Sequence, residues 1–173
     1  MKIATASIKN GLRYHQPLAV LPEEHPVELR EPRAVFVTLT IDGELRGCVG
    51  TLEANRALVA NVATYAFAAA FSDTRFPPLT AAEAPQVKIQ ISILSELEPI
   101  WFKSEAELLT HIRAGVDGLL LEERNCRGTL LPTVWQDIPN PRNFLERLKM
   151  KAGLPPNYWS DSVQVHRYTT TCL

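Results

Sequence analysis

The chain has 173 residues, 46% of them hydrophobic and 21% charged, with a formal net charge of -1 and a sequence pI near 6.4. A domain of this size hides roughly 70% of the surface its unfolded chain exposes, so no cofactor is needed merely to hold it together. Acidic and basic residues are scattered, which gives no footprint for nucleic acid or an anionic membrane, and no stretch approaches the roughly 20 apolar residues of a membrane span.

The start, Met1-Lys2-Ile3-Ala4-Thr5, lacks the apolar centre of a signal peptide, so a cytoplasmic protein is expected. Cys48, Cys126 and Cys172 are odd in number and widely spaced, which argues against a disulfide framework. His15, His25, His111 and His166 form no ligand-spaced pair, so no metal and no cofactor are expected.

In chain order, residues 3–14 read as a helix with Ile3, Ala6, Ile8 and Leu12 inward. Residues 17–32 carry four prolines and a charged run, which argues for an irregular surface connection docked by Leu18, Val20 and Leu21. Residues 34–41 and 44–52 are β-rich runs around Asp42-Gly43, a pair suited to the positive φ angles of a type I′ turn, and predict a hairpin. Asn55 is placed to cap a helix reaching Ser72, rich in alanine and able to lie close to a sheet. Asp73 to Leu79 stops that helix with Pro77-Pro78.

Residues 87–94 alternate as a half-buried strand, with Val87, Ile89, Ile91 and Ile93 on one face. Ser104 and Glu107 form a capping-box pattern for a helix to Arg113. Residues 119–122 and 128–131 predict a second hairpin around a turn containing Cys126. Asn140-Pro141 opens a helix that places Lys149 and Lys151 in its last turn and ends at Gly153. Residues 162–170 predict one last strand. Hairpins with intervening helices favour an α+β fold of antiparallel sheets with covering helices over an all-parallel sheet.

Two segments carry candidate chemistry. In Leu45-Arg46-Gly47-Cys48-Val49-Gly50 two glycines interrupt a strand, and strand glycines mark a bulge or a close approach by a backbone or ligand. Regular pairing would put Arg46 on the same face as Cys48. Cys48 is either a small buried hydrophobe or a thiolate held beside a guanidinium and able to act as a nucleophile. In Asp73-Thr74-Arg75-Phe76-Pro77-Pro78-Leu79, Asp73 and Arg75 either form an ion pair that fixes the turn, or Arg75 joins Arg46 to hold a carboxylate or phosphate.

These two segments, with Ala68-Ala69-Ala70-Phe71, Asp117-Gly118-Leu119, Gly128-Thr129-Leu130-Leu131-Pro132 and Lys151-Ala152-Gly153-Leu154-Pro155, resemble the AMMECR family over nearly all of residues 35–168. The resemblance implies two unequal lobes within a single AMMECR-type domain over residues 1–173, with the Arg-Gly-Cys segment near a cleft between them. It also implies association with a Memo-type protein and a radical S-adenosylmethionine protein, as in the AmmeMemoRadiSam system. It implies no established reaction. Val49 stands where isoleucine is commoner, and Cys126 and His166 fall outside the family's motifs.

Two readings of function follow. One is a non-catalytic binding component whose cleft holds a peptide segment, partner protein or anionic ligand within a modification system, with Arg46, Gly47, Gly50, Asp73, Arg75 and Phe76 as binding residues. The other is an enzyme with Cys48 as nucleophile or redox thiol and Arg46, Asp73 and Arg75 shaping an anionic substrate site. A histidine or carboxylate within reach of the thiol would decide for the second.

Overall fold

The Asp-Gly turn folds as its residues dictate: Asp42 and Gly43 take φ of 53° and 88° and join two antiparallel strands. In the computed structural model, which describes residues 1–173, the elements are α1 (Lys2–Tyr14), α2 (Val27–Arg30), β1 (Val35–Ile41), β2 (Glu44–Gly50), α3 (Leu58–Phe71), β3 (Lys88–Leu94), β4 (Glu98–Ile100), α4 (Glu105–His111), β5 (Gly118–Glu123), β6 (Cys126–Leu130), α5 (Pro141–Lys151), β7 (Gln164–Tyr168) and β8 (Thr170–Cys172). The fold is α+β, with two four-stranded sheets ordered β2-β1-β3-β8 and β4-β7-β5-β6. The chain forms two compact units, Met1–Leu94 with Thr171–Leu173, and Ser95–Thr170.

In the first unit the inward face of β1, Val35, Val37 and Leu39, is fully buried and packs with α1, α3 and Ile91 in one apolar cluster. The buried face of α1 is Ala4, Ser7, Ile8 and Gly11, at helical spacing but made of small residues. Its apolar signal in the sequence is weak because serine and glycine stand on that face, and Ser7 can be buried because its hydroxyl is satisfied, donating to the Ala63 carbonyl at 2.7 Å and accepting from the Leu18 N–H at 3.1 Å. Leu18 is thus tied down, but Leu21 is exposed and Leu29 packs on the core in its place.

Residues 17–32 are also more regular than their prolines suggest, with a 3₁₀ turn at Pro22–Glu24 and the single turn α2. Pro22 and Pro26 sit at the beginnings of these turns, where a missing N–H costs nothing. Asn55 does not cap α3: its amide donates to Glu53, and the helix begins at Leu58, whose N–H is taken by the Glu31 carbonyl at 2.8 Å.

In the second unit Leu119, Leu121, Phe144, Leu145 and Leu148 form the centre of the core. The Ser104 hydroxyl caps α4 at Glu107, while the Glu107 carboxylate reaches one residue further back than a standard capping box, to the Lys103 N–H. The helix ends at His111, short of Arg113, because the buried Asp117 carboxylate takes the Arg113 N–H and side chain into a closing turn. At the end of α5, Leu154 N–H bonds the Lys149 carbonyl and Gly153 N–H bonds that of Met150, a Schellman stop with Gly153 at φ 87°.

Lys149 is not a solvated last-turn charge: it is buried, and its ammonium donates to Glu105 and to the Pro156 carbonyl and lies over the Trp159 ring. Cys126 lies in β6 and is half-buried, because the hairpin tip is Arg124-Asn125. The expected last strand is two strands, β7 in the middle of the second unit's sheet and β8 at the edge of the first unit's sheet, where Ile91 and Leu173 exchange backbone hydrogen bonds.

Candidate functional site

The site is built on β2, an edge strand of the first unit's sheet. Its two glycines have steric causes. A Cβ on Gly47 would run into the Ala69 carbonyl of α3, and one on Gly50 would meet Phe36 and the Val35 carbonyl. The close approach expected at Gly47 is therefore made by a backbone.

Between Leu39 and Thr40 the register shifts: Leu39 faces Gly47 while Thr40 faces Leu45, leaving Arg46 as the extra residue of a β-bulge. The expectation that Arg46 shares the face of Cys48 by regular alternation fails here. Arg46 instead makes a two-point pair with Glu83, Nε to Oε1 at 2.9 Å and Nη2 to Oε2 at 3.2 Å, with only 11% of its side chain exposed.

Cys48 pairs with Thr38 of β1, on the opposite sheet face from the buried Val37 and Leu39. The thiol is half-buried and accepts a hydrogen bond from the Thr38 hydroxyl at 3.3 Å. A threonine hydroxyl in that role donates a proton and does not remove one, so it is no general base. The Cys48 N–H donates to Asp73 Oδ2 at 2.9 Å.

Asp73 lies where α3 gives way to the proline loop, and its side chain is only 7% exposed. It accepts from Cys48 and also from Arg75, whose N–H and Nε bond Oδ1 at 3.2 and 2.9 Å and whose Nη2 bonds Oδ2 at 2.6 Å. The Arg75 side chain holds the Asp73 carboxyl well below the usual carboxylate range, opposed by burial and helped by the two backbone donors. Arg75 Nη2 also donates to the Cys48 carbonyl at 3.3 Å.

A guanidinium has five N–H donors. These bonds occupy Nε and Nη2, and leave the two N–H groups of Nη1 on a side chain that is 55% exposed. The pKa of Arg75 is raised, first by its hydrogen bonds to Asp73, against desolvation, with the Asp73 and Cys48 charges adding. Phe76 joins the two arginines: its ring centre lies 5.5 Å from the Arg75 guanidinium and 6.0 Å from that of Arg46, within cation–π range.

The structure thus brings Arg46, Cys48, Asp73, Arg75 and Phe76 into one cluster, while Gly47 and Gly50 allow the strand to lie against α3 and Phe36. Glu83 and Thr80 belong to the cluster and were not foreseen. Their signal was a Thr-x-x-Glu spacing: Thr80 N–H and hydroxyl donate to Glu83 Oε2, and Glu83 N–H returns to the Thr80 hydroxyl. Arg46 first, then Thr80, lowers the Glu83 pKa to about 2.

The other family motifs serve the second unit's packing. A Cβ on Gly118 would strike the Tyr168 ring, and one on Gly128 would lie 2.6 Å from the Ala152 nitrogen. No group of three or more His, Cys, Asp or Glu side chains is gathered to hold a metal ion, and no helix is long and apolar enough to cross a membrane.

Comparison with known proteins agrees with the fold. A protein of Methanothermobacter thermautotrophicus is 38% identical over 170 residues, covering 97% of this chain and 88% of that protein. Protein MJ0810 of Methanocaldococcus jannaschii is 36% identical, covering 97% and 84%. The crystal structure of the uncharacterized protein PH0010 from Pyrococcus horikoshii superposes with a TM-score of 0.91 at 31% identity, over 99% of this chain and 87% of that one. The AMMECR1 family model matches residues 1–173, and the chain belongs to the AMMECR1 family.

Proposed function

We propose that this domain is the binding component of a protein or small-molecule modification system, with a Memo-type protein and a radical S-adenosylmethionine protein as its partners. Arg75, backed by Phe76 and set beside Cys48, recognises an anionic group or a peptide carbonyl. The carrying observation is that Asp73 pins the guanidinium by Nε and Nη2 and leaves Nη1 outward on a half-exposed side chain. A pre-oriented planar donor pair suits carboxylate and carbonyl acceptors and loses little freedom on binding. Cys48 and Cys126 are thiols outside any disulfide, which suits a reducing compartment and supports a cytoplasmic place of work. The partners themselves rest on the family resemblance.

A cysteine-dependent enzyme is the second reading, favoured by one observation: Arg75 Nη2 donates to the Cys48 carbonyl at 3.3 Å, which sets a guanidinium beside that residue. It lacks a base, since the thiol's side-chain partner is the Thr38 hydroxyl.

The test is hydrogen–deuterium exchange of the chain, alone and with a purified Memo-type protein or radical S-adenosylmethionine protein of the same source. Slowed exchange in residues 45–50 and 73–79 is expected. Failure of both proteins to bind, or a footprint confined to other residues, contradicts the proposal.

A further inference from the structure

We infer that the hollow beside Trp101 in the second unit binds the guanidinium side chain of an arginine presented by a partner polypeptide. None of its residues belongs to the Cys48 cluster, and the inference is independent of the function proposed above. The hollow measures about 310 Å³ and is lined by Trp101, Phe102, Asp161, Val163, Gln164 and His166, among others. That volume is at the small end of ligand sites, which run from about 300 to 1,000 Å³, and suits one side chain better than a large cofactor.

The backbone explains why an indole stands in water. Ile100 ends β4 with its side chain buried, so the next residue turns to the opposite side. Trp101 is accordingly 81% exposed, whereas Phe102 turns back and packs on Trp159 with ring centres 5.6 Å apart. A large ring exposed at the rim of a hollow is a stacking platform, and tryptophan is the best aromatic face for a cation.

Charge supplies the second half of the argument. Asp161 lines the same hollow, is exposed, and takes part in none of the chain's ion pairs. Glu122, 3.8 Å from His166 Nδ1, is already paired with Arg127 at 3.1 Å, so Asp161 is the carboxylate the hollow offers. A hollow that offers the Asp161 carboxylate beside an open indole face selects a cation. Arginine fits better than lysine because its plane stacks on the ring while its fork meets the carboxylate.

The strand pattern indicates that a polypeptide carries the arginine. β4 is the edge of its sheet, and its pairing with β7 stops at Ile100 opposite Val165. Gln164 goes on pairing with Glu122 on the other side, so an extended peptide can approach β7 just where the hollow opens.

The test uses proton–nitrogen correlation spectra of the full chain titrated with the blocked peptide acetyl-Gly-Arg-Gly-amide and its citrulline and lysine counterparts. The indole N–H of Trp101 is assigned by its loss in Trp101→Ala. The arginine peptide should shift that signal saturably, with a dissociation constant on the order of 10 mM, the range that one cation–π contact and one exposed ion pair support. Citrulline in the peptide, or Asp161→Asn in the protein, should weaken binding about threefold or more, the range an exposed ion pair reaches. Lysine should bind more weakly than arginine. The rest of the spectrum reports that Asp161→Asn is folded. No saturable shift, equal binding by the citrulline or lysine peptide, or undiminished binding in Asp161→Asn overturns the inference.

Discussion

The Asp73 carboxylate reaches back 25 residues to take the backbone N–H of Cys48 at 2.9 Å. One side chain thereby fixes both the outer edge of β2 and, through its four contacts with Arg75 and Cys48, the aim of the exposed guanidinium. Asp73→Asn keeps the size but replaces an acceptor that is nearly buried with one that is uncharged and half donor. A loss of about 2–3 kcal/mol is expected, the worth of hydrogen bonds to a charged group. Urea unfolding followed by circular dichroism measures it, and an unchanged midpoint would mean the latch contributes nothing.

Gly47 and Gly43 should respond differently to alanine. At Gly47 the new methyl meets the Ala69 backbone, which cannot swing aside, so a loss of more than about 3 kcal/mol is expected. At Gly43 the space is open and only the φ of 88° resists, so about 1 kcal/mol is expected. Equal losses in the two variants would contradict the account of the close approach.

Acid should weaken the first unit through Glu83. Its folded pKa of about 2 lies below the ordinary value of 4.5, so its ionised form is favoured by folding. The stabilisation is complete above the unfolded pKa and is lost as pH falls from 4.5 toward 2. Asp73, lowered further, adds to the loss at the acid end. In Glu83→Gln the stability difference from wild type should shrink across that window. A difference that stays constant with pH would show that the Arg46 pair is not the source.

The elements that were legible in the sequence are those whose partners are local. The Asp42-Gly43 turn, the alternation of Ile89, Ile91 and Ile93, and the Asn140 cap, which takes the Arg142 and Asn143 N–H groups, all announce themselves within a few residues. β4 and β8, three residues each, are too short to show any period and exist because a neighbouring strand is already in place. The glycines of β2 signalled a bulge or a close approach, but the bulge's position at Arg46 was not readable, since only the pairing with β1 shows which residue is extra.

The candidate site was legible as a set of residues but not as a hydrogen-bond scheme. The two glycines marked a close approach without saying that Ala69 makes it. Asp73 and Arg75 were readable as an ion pair within one turn, whereas the reach from Asp73 to Cys48 depends on α3 returning the chain to β2. Lys149 illustrates the opposite error: a lysine in a last helical turn reads as solvated, and only the fold supplies Glu105, 44 residues away.

Binding by Arg75, and not thiol chemistry, is the central claim. The direct measurement is calorimetric titration of a Memo-type or radical S-adenosylmethionine partner into wild type, Arg75→Ala and Cys48→Ser, each shown by circular dichroism to be folded. Cys48→Ser should bind within about twofold of wild type and Arg75→Ala about tenfold or more weakly, as befits the loss of a desolvated charged donor. Binding lost in Cys48→Ser but kept in Arg75→Ala would contradict the account and move the function to the thiol.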